Sequence, residues 1–373
     1  MRIAIDATSV PPKPAGAGVY ALELARALAR RPPSGDGYAI FIRGDWLDEE
    51  LRGRRDWRIE RVRTSRTGRV PWEQARLPGR LHALAADVLH STHHTLPLRP
   101  MRTKRVVTVH DVTFFRIPGR YTAARRLYMQ AMTRASARVA DAIIVPSLAV
   151  RDDVVRTLGV DAAKVSVIYE AAAGRFVRAS EDAVAAMRQR YMLEAPYVLS
   201  VGSLEPGKNR GRLFRAFRAL LDEGIAYDLV VAGQPAWKYA EEGALVRELR
   251  LLPRVKYLGY VPDDDLPALY SGATAFAFPS LYEGFGIPVL EAMACGVPVL
   301  TSAVSATAEV AGDAALLCDP ESVESIRDGL RRLLTDASLR ADYAARGQKR
   351  ASEFSWARAA EETRAVYERV VKS

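Results

Sequence analysis

The run Ser280-Leu281-Tyr282-Glu283-Gly284-Phe285-Gly286-Ile287-Pro288-Val289-Leu290-Glu291-Ala292-Met293-Ala294-Cys295-Gly296-Val297-Pro298 decides how the rest of the chain is read. The apolar residues Ala275–Phe278 precede it and predict a short buried strand. The loop after that strand then stands at a carboxyl end, where open α/β sheets bind ligands. Gly284 and Gly286 let the backbone come close to a ligand. Pro288 suits the first turn of a helix, and the amides exposed at such a start attract a diphosphate. Glu283 falls in the loop and Glu291 inside the helix, so each carboxylate can accept from sugar hydroxyls. Two glutamates at this spacing also fit a surface loop and an ordinary helix. The glycines, the strand before and the Gly296-Val297-Pro298 stretch after them favour a binding site.

The same grammar extends in both directions. Tyr197–Val201 reads as a strand, followed by Gly202, a polar loop and a helix over Arg210–Leu221. Tyr227–Ala232, Val255–Leu258 and Pro298–Thr301 continue the series. Towards the N-terminus, the strand Arg2–Ala7 leads through a Pro- and Gly-rich loop into a helix over Val19–Ala29, with Val19, Leu22, Ala25 and Leu28 near helical spacing. Further strands are expected at Tyr38–Ile42, Val88–His90, Arg105–His110 and Ala142–Pro146. Strands alternating with helices imply parallel sheets covered on both faces. The pattern restarts near Tyr197, so two Rossmann-like domains are expected, residues 1–175 and 190–355. A final amphipathic helix over 356–373 is positioned to pack back on the first domain.

A chain of 373 residues suits two domains. Its composition, 49% hydrophobic and 26% charged, is that of a globular protein. No signal peptide is evident and no apolar run spans a bilayer, so a cytoplasmic location is expected. Two cysteines, Cys295 and Cys318, argue against a disulfide framework and a zinc cluster. Residues 1–180 hold 31 Lys and Arg against 17 Asp and Glu, while the remainder is mildly acidic. A basic half should meet something anionic: a lipid phosphate, a membrane surface or nucleic acid. It also fits a plain arginine-rich surface.

The Glu283–Glu291 segment resembles the paired-glutamate motif of the retaining glycosyltransferases with two Rossmann domains, family 4 or group 1. Val198–Asn209, Glu309–Ala315 and Tyr20–Leu28 resemble further parts of that family. His110-Asp111-Val112-Thr113 and the stretch around Trp72-Glu73-Gln74 look most like bacterial mannosyltransferases that build surface polysaccharide. The resemblance implies a GT-B fold, two Rossmann-like domains facing across a cleft. It implies transfer of a hexose, mannose favoured, from a GDP-sugar or UDP-sugar to an acceptor hydroxyl. It implies retention by a front-face route in which the leaving phosphate takes the acceptor proton, with no cofactor and no metal. Position by position, Glu283 matches the glutamate that holds the donor sugar. Phe285, Gly286 and Ile287 match residues whose amides meet sugar or phosphate. Glu291 matches the ribose glutamate, and Lys208 the cation on the diphosphate. Gly202 and the loop glycines Gly16 and Gly18 match positions lying against the donor. His110 matches a histidine near the reacting centre, and also fits a simple strand end. The chain departs from the family where Ser203 and Gly207 stand in place of arginines.

The remaining polar clusters are read against this background. His90, His93 and His94 gather at a strand end without the matching ligands of a zinc site, and fit an acceptor pocket or a structural role. Asp263-Asp264-Asp265 precedes Leu266–Tyr270, where carboxylates are expected to cap a helix and not to hold a metal. A dinucleotide oxidoreductase would need a third glycine where Ala21 stands. No helix-turn-helix or aromatic RNA motif supports nucleic-acid binding. The basic half is expected to meet an anionic membrane at its inner face, with a lipid-linked or polysaccharide acceptor. Arg52, Arg54, Arg55, Arg58, Arg61, Arg63, Arg66 and Arg69 crowd one segment, and Arg116, Arg120, Arg125, Arg126, Arg134 and Arg138 a second. The alternatives are a UDP-sugar with a soluble acceptor, and a non-catalytic nucleotide-sugar binder.

Overall fold

Seven parallel strands make the first sheet: β1 (Arg2–Asp6), β2 (Gly37–Ile42), β3 (Trp57–Arg61), β4 (Val88–Ser91), β5 (Lys104–Thr108), β6 (Ala142–Val145) and β7 (Val165–Val167). Their order is β3-β2-β1-β4-β5-β6-β7. Six parallel strands make the second: β8 (Tyr197–Val201), β9 (Asp228–Ala232), β10 (Val255–Gly259), β11 (Ala275–Phe278), β12 (Val299–Ser302) and β13 (Leu316–Cys318), ordered β10-β9-β8-β11-β12-β13. The computed structural model describes residues 1–11, 16–32, 35–51, 53–65, 67–117, 121–235 and 239–373. Pro14 and Ala15 of the glycine loop, and Arg52, Arg66 and Arg120, lie outside these.

Contacts divide the chain into two units, Met1–Glu170 with Ser355–Ser373, and Ala171–Phe354. Each sheet is buried on both faces by helices, which is why its central strands are almost uninterrupted runs of apolar residues. Ile3, Ala4, Ile5, Val106, Val107, Ile143 and Ile144 are buried in the first unit. Val198, Leu199, Leu229, Val230, Phe276 and Leu300 are buried in the second, packed there with Phe214, Phe217 and Leu330 of its helices. Both sheets reverse their strand order once, between β1 and β4 and between β8 and β11. At those two places neighbouring connections leave to opposite sides, and a crevice opens at the carboxyl edge.

Three strands escape a reading by hydrophobic pattern. β7 and β13 have three residues each, too few to show a period. β3 is Trp-Arg-Ile-Glu-Arg, three of its five residues charged. It pairs with β2 in the register Tyr38↔Trp57, and the two rings stack with centroids 4.5 Å apart. Such a cross-strand aromatic pair stabilises an edge that its charges alone would not hold. The boundary between the units lies before the expected end of the first domain at residue 175. Residues 171–189 belong to the second unit, where the helix Glu181–Arg190 joins the helix Leu266–Ser271.

The helix Trp356–Lys372 returns to the first unit. Arg364 bonds Asp36 at 2.7 Å, and Trp356 lies 6.0 Å from the Tyr20 ring. Deeper in, the Tyr367 hydroxyl meets His90 Nδ1 at 2.6 Å, while His90 Nε2 meets Thr108 Oγ1 at 2.8 Å and Thr108 meets the Tyr20 hydroxyl at 3.0 Å. All four side chains are buried. Tyr367→Phe would leave His90 without its partner, at a cost of about 1–3 kcal/mol. Urea unfolding should show a lower midpoint for the first unit, and an unchanged midpoint would remove this bond from the list of what holds the helix.

Candidate functional site

In the second unit, the loop after β8 is shaped by how closely two backbones pass. A Cβ on Gly233 would stand 1.9 Å from the carbonyl oxygen of Gly202, with φ +154 at Gly233 and +138 at Gly202. No other residue type permits that approach without strain. Beyond Gly202, Pro206–Lys208 form one turn of 3₁₀ helix. Asn209 sits in the left-handed region at φ 58, and its side-chain amide donates to the carbonyls of Pro279 and Pro320 at 2.9 and 2.6 Å. Leu281 N–H donates to the Gly207 carbonyl at 3.0 Å. The loops after β8 and β11, neighbours at the strand-order reversal, are thus fastened to each other.

That fastening brings Lys208 to Glu283. Lys208 Nζ lies 2.7 Å from Glu283 Oε1, with about 15% of each side chain exposed. The lysine stem packs against Gly202, and its ammonium lies 4.9 Å from the centre of the Phe278 ring. Glu283 N–H donates to Ser305 Oγ at 3.2 Å. Gly286 stands just before the helix Ile287–Ala294, in the left-handed region at φ 107, with Pro288 in the first turn. Phe285 is buried, Ile287 is half-buried, and Gly284 lies between Glu283 and Phe285. Inside the helix, Glu291 Oε2 accepts from the buried Tyr270 hydroxyl at 2.8 Å. The residues named for the donor from sequence are therefore assembled on one carboxyl edge, with the cation and one carboxylate already paired.

Three contributors here were not picked out from sequence. Asn209 is the latch, and Tyr270 holds Glu291. Arg210 is fully buried and donates to Glu242 at 3.0 Å and to the Ser203 carbonyl. It braces the loop from beneath, at Ser203. The one available hint was a charged residue at an inward position of the helix Arg210–Asp222. The aspartate triplet needs correction. Asp265 makes no side-chain cap on the helix Leu266–Ser271. Its carboxylate accepts from Arg190 at 2.7 Å and from the Tyr191 hydroxyl at 2.7 Å, and Asp263 pairs with Arg175 at 2.9 Å. Strong cationic partners outcompete the backbone amides for these carboxylates.

In the first unit, Gly16 precedes the helix Ala17–Arg30 at φ 54, and Gly18 lies in its first turn. His110 follows β5, which ends at Thr108. His110 Nε2–H donates to the Thr92 carbonyl at 2.9 Å, and Nδ1 faces Glu170 Oε1 at 3.5 Å. Both ring nitrogens thus face acceptors, the arrangement of an imidazolium. Burial alone would push its pKa down, but Glu170 outweighs it, with help from the Thr92 carbonyl and Asp111, and the net shift is upward. His90, bonded on both nitrogens, is structural, and burial and His110 push it down to about 3. Glu73, read as a mannosyltransferase-like position, is buried and bonded to Arg69 at 2.5 Å, Thr95 at 2.7 Å and Gln74 at 2.8 Å.

The arginine-rich segment is less open than its composition suggests. Arg54 pairs with Asp56, Arg58 with Glu60 and Arg61 with Asp45, while Arg69 is buried on Glu73. The second segment differs. On the helix Ala123–Val139, Arg125, Leu127, Tyr128, Arg134 and Arg138 are exposed. Among the described residues, no helix is long and apolar enough to cross a membrane.

Two family models match the chain: "Glycosyltransferase Family 4" over residues 14–171 and "Glycosyl transferases group 1" over residues 188–350. The chain is 35% identical over 271 residues to the O-antigen chain mannosyltransferase B of Escherichia coli, covering 72% of this chain and 71% of that protein. It is 31% identical to the O-antigen chain mannosyltransferase RfbU of Salmonella typhimurium, over 67% and 66% of the two chains. Its fold is similar to that of a sucrose-phosphate synthase from Thermosynechococcus elongatus, with a TM-score of 0.82 at 20% identity, over 99% of this chain and 98% of that one.

The Glu170–His110 pair makes a pH prediction. A raised folded-state pKa means that the pair's stabilisation is present at low pH and is lost as pH rises through that folded value. In Glu170→Gln, burial is no longer opposed by a carboxylate, and His110 should titrate at a lower pH than in the parent protein. Histidine NMR titration reads this directly. An unmoved His110 titration would mean that Glu170 does not hold the charge.

Proposed function

The chain belongs to the group 1, family 4 glycosyltransferases, of GT-B fold, and from that membership we propose that it moves a hexose, mannose by preference, from a nucleotide-diphosphate sugar to an acceptor hydroxyl with retention at the anomeric carbon. The observation that carries this reading is the Lys208–Glu283 pair at the strand-order reversal of the second sheet. A diphosphate entering there draws Lys208 away from Glu283. The freed carboxylate then accepts from sugar hydroxyls, while Lys208 stabilises the charge that grows on the leaving phosphate. Glu291, held by Tyr270, takes the ribose, and amides near Gly286 take phosphate oxygens. Support for mannose comes from the mannosyltransferase names of the relatives, and GDP-mannose is the donor proposed with it. The leaving phosphate accepts the acceptor proton. Lys208 supplies the cation, and Asp263 and Asp265 are engaged by arginines, so transfer runs without a divalent metal.

This coupling can be tested with purified protein and nucleotide sugars. Glu283→Gln should lower transfer on the order of a hundredfold. Its affinity for the nucleoside diphosphate should hold or rise, because Lys208 no longer has to leave a carboxylate. Lys208→Met should weaken the same affinity by about tenfold or more. Transfer should persist in EDTA. Full turnover by Glu283→Gln, or loss of transfer in EDTA with recovery in Mn²⁺, would sink this account.

The acceptor is lipid-linked in this proposal, and the protein meets an anionic membrane through the helix Ala123–Val139. The support is Leu127, 68% exposed, with Tyr128 beside it and Arg125, Arg134 and Arg138 exposed on the same helix. Apolar side chains in the headgroup region and arginines on anionic lipid, at about 1 kcal/mol each, act together. Flotation with phosphatidylglycerol vesicles should show binding at low salt that fades at high salt. It should fall in Leu127→Asp and in Arg125→Glu with Arg126→Glu. Absence of binding at low salt would remove the membrane from the account and leave the transfer reaction in place.

A further inference from the structure

β12 lies beside β11 in the second sheet, and its end and the turn after it clasp the loop that carries Glu283. Thr301 Oγ1 donates to the Phe278 carbonyl at 3.0 Å, and Ser302 Oγ to the Ser280 carbonyl at 2.6 Å. The Glu283 N–H donates to Ser305 Oγ at 3.2 Å, across 22 residues of chain. Further along, a Cβ on Gly286 would stand 3.2 Å from Thr307 Cγ2. The loop is thus held at four points between Phe278 and Gly286.

Ser305 is the unusual member of this clasp. It opens the helix Ser305–Ala311, yet its φ is 57, in the left-handed region. Glycine adopts that conformation freely, whereas a side chain there is strained. The turn around it is tied down on both sides. Ala303 N–H donates to the Cys318 carbonyl at 2.8 Å, and Thr307 Oγ1 lies 3.2 and 2.9 Å from the carbonyls of Ser302 and Val304. Strain of this kind persists only where the surroundings enforce it, and it gathers at functional sites. What serine offers here and glycine does not is a hydroxyl. That hydroxyl reaches across the turn to the Glu283 amide and does not cap its own helix.

We propose that Ser305 is a positioning residue for sugar transfer, whose hydroxyl holds the Glu283 backbone once a diphosphate has drawn Lys208 off the Glu283 carboxylate. The inference rests on the glycosyltransferase reading and assigns that same site a further residue. Without donor, Glu283 is held twice, through its side chain by Lys208 at 2.7 Å and through its backbone by Ser305. Donor binding commits Lys208 to phosphate, and the backbone hold remains. Glu283 then meets the sugar hydroxyls from a fixed Cα. Groups that act on a reacting sugar must be placed to a fraction of an ångström, so a loosened backbone costs rate. The Ser305 hydroxyl bonds neither Lys208 nor Glu291, whose partners are Glu283 and Tyr270. Its loss therefore falls on the transfer step and spares the grip on the nucleotide.

Ser305→Ala removes the hydroxyl and keeps the strain, while Ser305→Gly removes both. In the full chain saturated with GDP or UDP, hydrogen exchange of a peptide covering Glu283 should quicken by about tenfold in each variant. This reading needs nucleotide alone and no acceptor. With GDP-mannose or UDP-glucose as donor, kcat should fall by about tenfold in both, while donor KM and calorimetric affinity for the nucleoside diphosphate stay within about twofold of the parent. Ser305→Gly should melt higher than Ser305→Ala and transfer sugar no better. A merely structural serine would make transfer follow stability, with glycine ahead of alanine. The inference is overturned if Ser305→Gly transfers sugar like the parent, if nucleotide affinity falls in step with kcat, or if exchange at the Glu283 peptide is unchanged. A parent protein that binds neither nucleotide would instead overturn the donor reading beneath it.

Discussion

A parallel sheet whose strand order reverses leaves one place where neighbouring connections diverge, and the second unit gathers Lys208, Glu283 and Glu291 there. In the second unit the reversal is useful only because Gly202 and Gly233 allow two backbones to pass at a distance no Cβ would tolerate. That passage sets the course of the loop after β8, which Asn209 then ties to the loop after β11. Lys208 and Glu283, 75 residues apart, meet as a consequence. Widening the passage at Gly233 would shift the loop and misplace the ammonium that lies on Glu283.

Buried ions recur wherever a loop must be held still. Arg210 with Glu242, Arg69 with Glu73 and His110 with Glu170 each place a charge where water is scarce. Such pairs contribute little net stability over apolar side chains of the same size, while removing one partner costs roughly 3–5 kcal/mol. Their value is in orientation. Arg210 takes the Ser203 carbonyl, Arg69 and Thr95 share Glu73, and Glu170 fixes the ring of His110. They also bear on net charge. The excess of arginine in the first 180 residues suggests a broad cationic face, yet several of those arginines answer carboxylates nearby. On the helix Ala123–Val139, exposed Arg125, Arg134 and Arg138 share the surface with Leu127 and Tyr128.

What could be read from sequence follows from the same physics. Central parallel strands are buried on both faces, so β1, β5, β8 and β11 announce themselves as apolar runs. The helix starting at Ile287 carries its own punctuation in Gly286 and Pro288. The helix Trp356–Lys372 shows its apolar stripe clearly. Strands of three residues have no period to show, and β3 hides its Tyr38–Trp57 stack behind arginines. The site residues divide likewise. Lys208, Glu283 and Glu291 sit in a motif. Glu170, Tyr270 and Arg210 do not, because the side chains they pair with, His110, Glu291 and Glu242, lie 21 to 60 residues away in the chain. Asp263 and Asp265 were legible as acidic, but their partners Arg175 and Arg190 lie about 75 to 90 residues away, and a local rule for helix caps could not foresee them.

The two reversals make a comparison within one chain. The second offers a cation and a carboxylate already neutralising each other, so an incoming ligand must supply both an anion for Lys208 and hydroxyls for Glu283 to leave neither unpaired. A nucleotide-diphosphate sugar has both parts, whereas a free sugar or a free phosphate has one. The first reversal shares the sheet geometry but not the pair: Asp6 Oδ1 accepts from Thr8, and His110 lies between the Thr92 carbonyl and Glu170. Selection at the second reversal therefore lies in its ion pair, which discriminates by requiring two groups at once, and not in the strand order alone.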